Sequence, residues 1–468
     1  MKTFVAYAFV VAVLQTAVKT AEAAKILLLP TMAKSHALEL LHIGEELARR
    51  GYQVSFYLPS SIDSKIPKQS PVGVITYTIP DEYKTMFENS MDNIQSGDWK
   101  INGHVFDIFF DIRNITKAMC LGLFSDRKQL GYLVKERFDL AIVTTLPFTQ
   151  CLFSLPYYLN ISTVASSAYI VETHSSAPFQ SNTLPVSLSS FGNDMNFFER
   201  CVNSVQSIVS PILLSYFVTP DMSVIDPVFA NIDVNQLVKQ AVLYLENSDY
   251  VFDYPKAVFP NFVHVGGLTA TPAKKLDKKL EDFMARSPEG IIFVSFGSLV
   301  PIQFAPKTMV ENMLAALRQS GFNVLLKSDS DHDDGNIRFS KWLPQNDILG
   351  HPKTKLFISH CGKNGLFESI YHGVPILCMP RSIDQPMNSR RVSRMAIGIH
   401  LDFNKASSAE MSSAIHDCIH NETFRENMKK LSVMFRDRRE TPVQRAANAV
   451  EYVLKYGKVY LHKLISTQ

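Results

Sequence analysis

The amino-terminal half of the chain alternates between short apolar runs and amphipathic stretches. Residues 25–30 form a continuous apolar run of strand length, and residues 37–50 carry apolar side chains at helical spacing. Gly51 ends this predicted helix, and residues 54–58 form a second apolar run. Because both strands are apolar throughout rather than alternating, the pattern predicts the start of a parallel sheet covered by helices.

The same pattern continues and then restarts in the second half of the chain. Further apolar runs of strand length lie at residues 138–143, 161–164, 291–296, 323–327, 356–359 and 376–380. A Lys-rich stretch that contains Pro272 separates the two series. We therefore expect an α/β protein with two Rossmann-like, doubly wound domains. The expected divisions are a signal peptide at residues 1–23, an N-terminal domain at 24–268, a linker at 269–285, a C-terminal domain at 286–440 and a final helical segment at 441–468.

The composition is that of a multidomain globular protein. Of the 468 residues, 46% are hydrophobic and 19% are charged, which excludes an extensively disordered chain. The formal net charge of +3 gives no reason to expect nucleic acid as a partner.

The two ends of the chain predict the secretory pathway without a membrane span. Lys2, the apolar run at residues 4–14 and the Ala-Glu-Ala sequence at residues 21–23 are typical of a cleaved signal peptide. No hydrophobic segment follows the amphipathic pattern at residues 442–454. Acceptor sequons for N-glycosylation begin at Asn114, Asn160 and Asn421. We therefore expect a glycoprotein in the lumen of the endoplasmic reticulum or outside the cell, soluble after signal removal.

The six cysteines are scattered and have no spacing that suggests zinc. An oxidising compartment allows one disulfide among Cys120, Cys151 and Cys201, but we expect buried free thiols because a core of this size needs no covalent staple. No metal cofactor is expected.

A candidate phosphate site lies where the apolar run at residues 356–359 meets the sequence His360-Cys-Gly-Lys-Asn-Gly. A turn of small residues before a helix presents free backbone N–H groups and the positive end of the helix dipole to an anion. Asn364 and Glu368 lie four residues apart and share one helical face, where Glu368 can accept hydrogen bonds from ribose hydroxyls.

Side chains suited to a base and a sugar flank this turn. Trp342 offers a flat face on which a base can stack, and Asp384 and Gln385 follow the next strand with groups that bond sugar hydroxyls. Together these positions predict a site for a nucleoside diphosphate sugar.

Residues 342–385 closely resemble the signature of the UDP-glycosyltransferase family, whose members conjugate sugars to small lipophilic acceptors. The resemblance extends, more weakly, over nearly the whole mature chain, and Ser35-His36 and residues 293–298 stand in the family's order. It implies a GT-B fold, in which two Rossmann-like domains face each other across a cleft, and a final helix that braces the N-terminal domain. It assigns the UDP-sugar, as donor substrate, to Ser298, Trp342, Gln345, His360, Gly362, Asn364, Glu368, Asp384 and Gln385.

The resemblance also implies a catalytic base. In the family, a His in the loop after the first strand deprotonates the acceptor hydroxyl, and His36 occupies that place. An Asp usually orients this His, but here Thr144 stands at the expected position, and Asp139 lies at the far end of the same strand. A hydroxyl can hydrogen-bond an imidazole but cannot neutralise an imidazolium. We therefore expect His36 and Thr144 to form a weakened pair, unless another carboxylate reaches in from the cleft.

The predicted function is the inverting transfer of a hexose from a UDP-sugar to a hydroxyl of a small lipophilic acceptor. The resemblance favours glucose over glucuronate as the sugar. The alternative is a catalytically impaired carrier of small molecules on the same scaffold, motivated by Thr144 and by the absence of a spanning segment. An apolar acceptor pocket is one interpretation, and a hydrophobic core the other, for Phe106, Phe109, Phe110 and Phe198.

Overall fold

The computed structural model describes residues 23–31, 34–60, 67, 69–97, 105–146, 149–168, 175, 177, 179–186, 189, 191–297, 301–381 and 384–457. Residues 1–22 of the predicted signal peptide, Ser298 and the last eleven residues, 458–468, lie outside these ranges.

The N-terminal domain is built on a parallel sheet of seven strands within the described ranges, in the order β3-β2-β1-β4-β5-β6-β7. These strands are β1 Lys25–Leu29, β2 Gln53–Pro59, β3 Gly73–Tyr77, β4 Leu140–Thr144, β5 Ser162–Ser167, β6 Leu243–Glu246 and β7 Phe262–His264.

The C-terminal domain has a second sheet, in which seven strands are described, in the order β10-β11-β9-β8-β12-β13-β14. These strands are β8 Ile291–Ser295, β9 Asn323–Lys327, β10 His332–Asp334, β11 Ile337–Ser340, β12 Thr354–Ser359, β13 Ile376–Cys378 and β14 Gly398–His400. The pairing is parallel except between β10 and β11, which form an antiparallel edge.

Helices pack on both sheets. In the described part of the chain they are α1 Lys34–Arg49, α2 Asp81–Gly97, α3 Val105–Ser125, α4 Arg127–Glu136, α5 Ser154–Tyr158, α6 Phe197–Val218, α7 Met222–Ile225, α8 Val234–Lys239, α9 Lys278–Ala285, α10 Lys307–Gln319, α11 Gln345–Leu349, α12 Lys363–His372, α13 Gln385–Arg394, α14 Ser408–His420, α15 Glu422–Arg436 and α16 Pro442–Tyr456. The expected α/β class with two doubly wound domains is confirmed.

Strand β1 shows why its apolar run does not alternate. Ile26 and Leu28 belong to a core that also includes residues of α1 and α16. Leu27 and Leu29 belong to a second core, on the side covered by α3. Because each face of the strand is buried against helices, every position from 26 to 29 is apolar.

The order in which strands are added reverses within each sheet, although the strands on either side of the reversal stay parallel, and this reversal positions the loops of the predicted site. In the first sheet, β2 and β3 lie on one side of β1, whereas β4 lies on the other. In the second sheet, β9, β11 and β10 lie on one side of β8, whereas β12, β13 and β14 lie on the other. A crevice opens at the carboxyl ends of strands at such a reversal, and ligands bind there. The crevices are therefore bordered by the segments that follow β1, β4, β8 and β12.

Two elements connect the domains. The final helix α16 packs on the N-terminal sheet through Ala446, Ala447 and Val450, and the guanidinium of Arg50 donates a 2.6 Å hydrogen bond to Glu451 on this helix. The segment predicted as a linker at residues 269–285 contains α9, whose apolar side chains pack in the core of the C-terminal domain. The second half of that segment is thus structurally part of the C-terminal domain.

The cysteine expectation is wrong for four of the six side chains. Disulfides join Cys120 to Cys151 and Cys361 to Cys378, with Cα–Cα distances of 6.0 and 5.4 Å. Cys361 and Cys378 are close because the first follows β12 and the second ends the neighbouring strand β13. Strand pairing is not visible in the spacing of cysteines along the sequence, which explains the error. Cys201 and Cys418 are free.

Candidate functional site

The turn after β12 is shaped around the buried imidazole of His360. A Cβ atom added to Gly297 would lie 2.8 Å from the His360 ring, and one added to Gly362 would lie 2.6 Å from it. Gly297 also has a φ of +77°, a conformation that side chains disfavour. Glycine is therefore required on both sides of His360.

His360 is uncharged at neutral pH. Burial, and secondly the positive charge of Lys327, lower the pKa of His360 from 6.5 to about 4. The Lys327 ammonium donates a 3.1 Å hydrogen bond to the carbonyl of Gly297 on the same side of the turn. A neutral imidazole beside a cation gives this turn a donor and a positive charge, both of which suit an anionic ligand.

Helix α12 begins directly after this turn. Gly362 is its N-cap residue and supplies no side-chain hydrogen bond to the first turn of the helix. The first N–H groups and the positive end of the helix dipole therefore lie at the turn. Lys363 is directed away from it, since its ammonium pairs with Asp253 of the N-terminal domain.

Glu368, on the second turn of α12, meets Gln345 at the start of α11. The Gln345 amide donates a 2.7 Å hydrogen bond to the Glu368 carboxylate. Burial raises the pKa of Glu368 from 4.5 to about 7. The hydrogen bond from Gln345 favours the charged carboxylate and so opposes this rise. Trp342 lies three residues before Gln345 and is 64% exposed, so its indole is accessible to a stacking partner.

Asp384 and Gln385 lie at the start of α13, close to the phosphate turn. The Asn388 side chain donates hydrogen bonds to the Asp384 carboxylate, at 2.7 Å, and to the carbonyl of Cys361, at 3.0 Å. This amide joins Asp384 to the turn after β12. Burial raises the pKa of Asp384, although Lys363 favours its charged form. Gln385 accepts a 2.8 Å hydrogen bond from the backbone N–H of Arg381.

His36 lies in the first turn of α1, at the crevice of the N-terminal sheet. Its side chain is 13% exposed, and its Nδ1 lies 3.6 Å from a carboxylate oxygen of Glu39. Burial alone would lower the pKa of His36, but the negative charges of Glu39 and, more weakly, Asp384 outweigh burial and raise it. Because Asp384 belongs to the C-terminal domain, this interaction brings the sugar end of the predicted donor site and the predicted base together.

Thr144 does not make the contact expected of it. The residue ends β4 and is buried, but its hydroxyl has no hydrogen-bond partner among the described residues. The predicted hydroxyl–imidazole pair of Thr144 and His36 is therefore absent. Asp139 lies at the opposite end of the strand, where its carboxylate accepts a 2.8 Å hydrogen bond from the backbone N–H of Lys25.

Sequence reasoning missed Glu39. This buried carboxylate accepts hydrogen bonds from the side-chain amides of Asn364, at 2.8 Å, and Asn247, at 3.2 Å, and it faces His36. It thus connects α12, the helix of the predicted phosphate site, with the predicted base His36. The available signal was the spacing: Glu39 follows His36 by three residues in a predicted helix, where side chains share a face.

Hydrogen bonds thus join Gln345 to Glu368, and Asn388 joins Asp384 to the turn that contains Cys361, whereas Ser298 is outside the described ranges. No group of three or more His, Cys, Asp or Glu side chains in the described ranges is arranged to hold a metal ion. Phe110 and Phe198, candidates for core or pocket, are 53% and 78% exposed. The side chains of Phe106 and Phe109 are outside the description.

Comparison with known sequences decides the family. The family described as "UDP-glucoronosyl and UDP-glucosyl transferase" matches residues 24–461. The chain belongs to this UDP-glycosyltransferase family. It is 30% identical over 444 residues to UDP-glucuronosyltransferase 2B33 of Macaca mulatta and to human UDP-glucuronosyltransferase 2B7, and each alignment covers 90% of this chain and 83% of the relative. The predicted identity as a UDP-sugar-dependent glycosyltransferase is confirmed.

Solved structures agree on the fold of this glycosyltransferase. The rice protein Os79 in complex with UDP has a TM-score of 0.63 and 16% identity, covering 92% of this chain and 100% of Os79. UDP-glucose: anthocyanidin 3-O-glucosyltransferase in complex with UDP has a TM-score of 0.62 and 18% identity, covering 92% and 99% of the two chains. The GT-B architecture is confirmed. Among the described helices, none has the length and hydrophobicity needed to cross a membrane.

The raised pKa of Glu368 predicts a pH-dependent contribution to stability. The folded protein keeps a proton on this carboxyl up to about pH 7, whereas the unfolded chain releases it near 4.5. The stabilisation is thus complete below the unfolded value and is lost as the pH rises through about 7. We expect Glu368→Gln to reduce the loss of stability between about pH 5 and about pH 8, because the amide does not titrate.

The measurement is the urea midpoint of unfolding across this pH range. Glu289→Gln, at an exposed position of the same domain, is the matched control and should keep the pH dependence of the unsubstituted protein. If the urea midpoint of Glu368→Gln changed with pH in parallel with that of the unsubstituted protein, the raised pKa of Glu368 would be contradicted.

Proposed function

We propose that this glycosyltransferase moves glucose from UDP-glucose to a hydroxyl of a small lipophilic acceptor, with inversion at the anomeric carbon and with His36 as general base. The observation that carries the proposal is the interdomain contact beside His36, where Asn364 of α12 donates a 2.8 Å hydrogen bond to Glu39, whose carboxylate lies 3.6 Å from the imidazole of His36. The charge of Asp384, at the start of α13, also acts on His36. A donor held by the C-terminal domain would have its sugar between these two groups.

The proposed donor site follows the geometry of α12 and its preceding turn. The diphosphate would contact the first N–H groups of α12, His360 and Asn364, with Gly362 leaving room for the close approach. Glu368 and Gln345 would bond the ribose, and the exposed indole of Trp342 would stack on uracil. Asp384 and Gln385 would bond the sugar hydroxyls, and Ser298 is assigned to the diphosphate by family resemblance alone.

The chemistry requires one proton transfer and one displacement. The acceptor hydroxyl gives its proton to a ring nitrogen of His36 and its oxygen forms a bond to the anomeric carbon, while the bond from that carbon to the UDP oxygen breaks. Attack from the face opposite UDP inverts the anomeric centre. The N–H groups of α12 and the positive charge of Lys327 lie where negative charge builds on the departing diphosphate.

The electrostatics of the cleft favour a neutral sugar. Asp384 and the buried Glu39 both act on His36, so a glucuronate carboxylate would add a third acidic group to a confined site. The mammalian relatives are named glucuronosyltransferases, and glucose is proposed here on the charges of this chain.

The burial of His36 supports an apolar acceptor. An acceptor hydroxyl reaches a side chain that is only 13% exposed when its molecule gives up most of its hydration, which costs least for a lipophilic compound. A secretory location is consistent with the two disulfides and with the exposed sequon residues Asn160 and Asn421. We propose the lumen of the endoplasmic reticulum or the extracellular space.

Replacement of His36 tests the assignment of the base. We expect His36→Ala to lower kcat by roughly 10²- to 10⁴-fold, because the acceptor hydroxyl loses its proton acceptor. Binding of UDP-glucose, measured by calorimetric titration, should change little, since the donor is held by the C-terminal domain. His42→Ala, on the same helix, is the control. A His36→Ala enzyme with an unchanged kcat would exclude His36 as the base.

A comparison of donors tests the sugar. We expect UDP-glucose to support turnover with at least about tenfold higher kcat/KM than UDP-glucuronate, because like charges in a confined site disfavour the acidic sugar. The measurement uses the purified glycosyltransferase, both donors and a panel of phenols and alcohols. A preference for UDP-glucuronate would contradict the choice of sugar while leaving the family and the base intact.

A further inference from the structure

The buried surroundings of His36 contain a carboxylate that is not at the family's expected position. Glu39 lies one turn beyond His36 on α1, and its Oε2 is 3.6 Å from the imidazole Nδ1. This contact becomes an ion pair when His36 is protonated. Side chains three residues apart in a helix share a face, so the helix itself holds the two groups together.

Two amides fix the orientation of the Glu39 carboxylate. Its Oε1 accepts hydrogen bonds from Asn364, at 2.8 Å, and from Asn247, at 3.2 Å. Asn247 is itself held, since its Oδ1 accepts a 2.9 Å hydrogen bond from the N–H of Gly267. With Oε1 occupied by the two amides, Oε2 is directed at His36.

Thr144 cannot stabilise a charged His36 as a carboxylate would. Its hydroxyl is buried and unpartnered among the described residues, and a hydroxyl carries no charge with which to stabilise an imidazolium. The fold has thus lost a carboxylate from the end of β4, relative to the family pattern, and has one on α1 that faces the same imidazole.

We propose that Glu39 is the positioning residue of this glycosyltransferase, which orients His36 and stabilises its charged form during transfer in place of the aspartate expected at Thr144. This inference rests on the proposed role of His36 as base. The hydrogen on Nδ1 faces Glu39, and Nε2 keeps its lone pair for the acceptor. After Nε2 takes the acceptor proton, the imidazolium lies beside a carboxylate, and the 3.6 Å distance shortens as charge develops.

The pH dependence of turnover distinguishes this role from a purely structural one. The charged groups that act on His36 are Glu39 from its own helix and Asp384 from the C-terminal domain. Neutralising Glu39 removes a negative charge that favours the imidazolium, so the pKa of His36 falls. Because the neutral imidazole is the active base, the rising acidic limb of kcat/KM then moves to lower pH.

The test compares four variants of the full chain. We expect Glu39→Gln to lower kcat at saturating donor by roughly 10- to 100-fold and to move the acidic limb to lower pH. Adding Thr144→Asp to Glu39→Gln should restore part of kcat and return the limb towards its original position, since a carboxylate again faces the imidazole. Glu45→Gln, on the same helix, should match the unsubstituted enzyme in both measurements.

An acidic limb that does not move in Glu39→Gln overturns the proposal, whatever the change in kcat, because a structural defect alone lowers the rate without shifting that pKa. His36→Ala, assayed in the same series, distinguishes a failure of the proposed base from a failure of the proposed role of Glu39. If His36→Ala retains activity, the proposed base fails. If it is inactive while Glu39→Gln behaves as the unsubstituted enzyme, only the role of Glu39 fails.

Discussion

The structure depends on one topological constraint, the reversal of strand order between two neighbouring parallel strands in each sheet. In the first sheet the reversal lies between β1 and β4, and in the second between β8 and β12. Segments on either side of a reversal diverge above the sheet and leave a crevice that side chains can line. His36 follows β1 and His360 follows β12, so the two crevices supply the proposed base and the proposed anion-binding turn. The interdomain contacts, among them the ion pair of Lys363 with Asp253, hold the crevices face to face.

Hydrogen bonds cross the domain interface beside the proposed base, and these would link donor binding to catalysis. Asn364 belongs to the helix proposed to hold the diphosphate, yet its amide donates to Glu39 beside the proposed base. An unpaired carboxylate at this depth would be costly, so the two amides and the imidazole that surround Glu39 stabilise it together. In this proposal the imidazole still has a carboxylate partner, although the carboxylate lies on α1 and not at the end of β4. The distance from the carboxylate to the imidazole ring matters more than the element that carries the carboxylate.

The sequence was sufficient for the fold class, many of the strands and the family, because apolar runs without alternation and the dense signature at residues 342–385 are local signals. Short edge strands such as β10 and β14 were not predicted, since three residues carry too little pattern. The Cys361–Cys378 disulfide and the network around Glu39 were also missed. Both join residues through the pairing of strands or the approach of two domains, which no periodicity along the chain encodes.

The central claim is that a donor bound to the C-terminal domain presents its sugar to His36, and a crystal structure with an unreactive UDP-glucose analogue and an acceptor tests it most directly. The account predicts the diphosphate at the first turn of α12, and the acceptor hydroxyl between the anomeric carbon and the ring of His36, within hydrogen-bond reach of the latter. A complex with the diphosphate away from α12, or with an acceptor whose hydroxyl lies beyond the reach of His36, would contradict it.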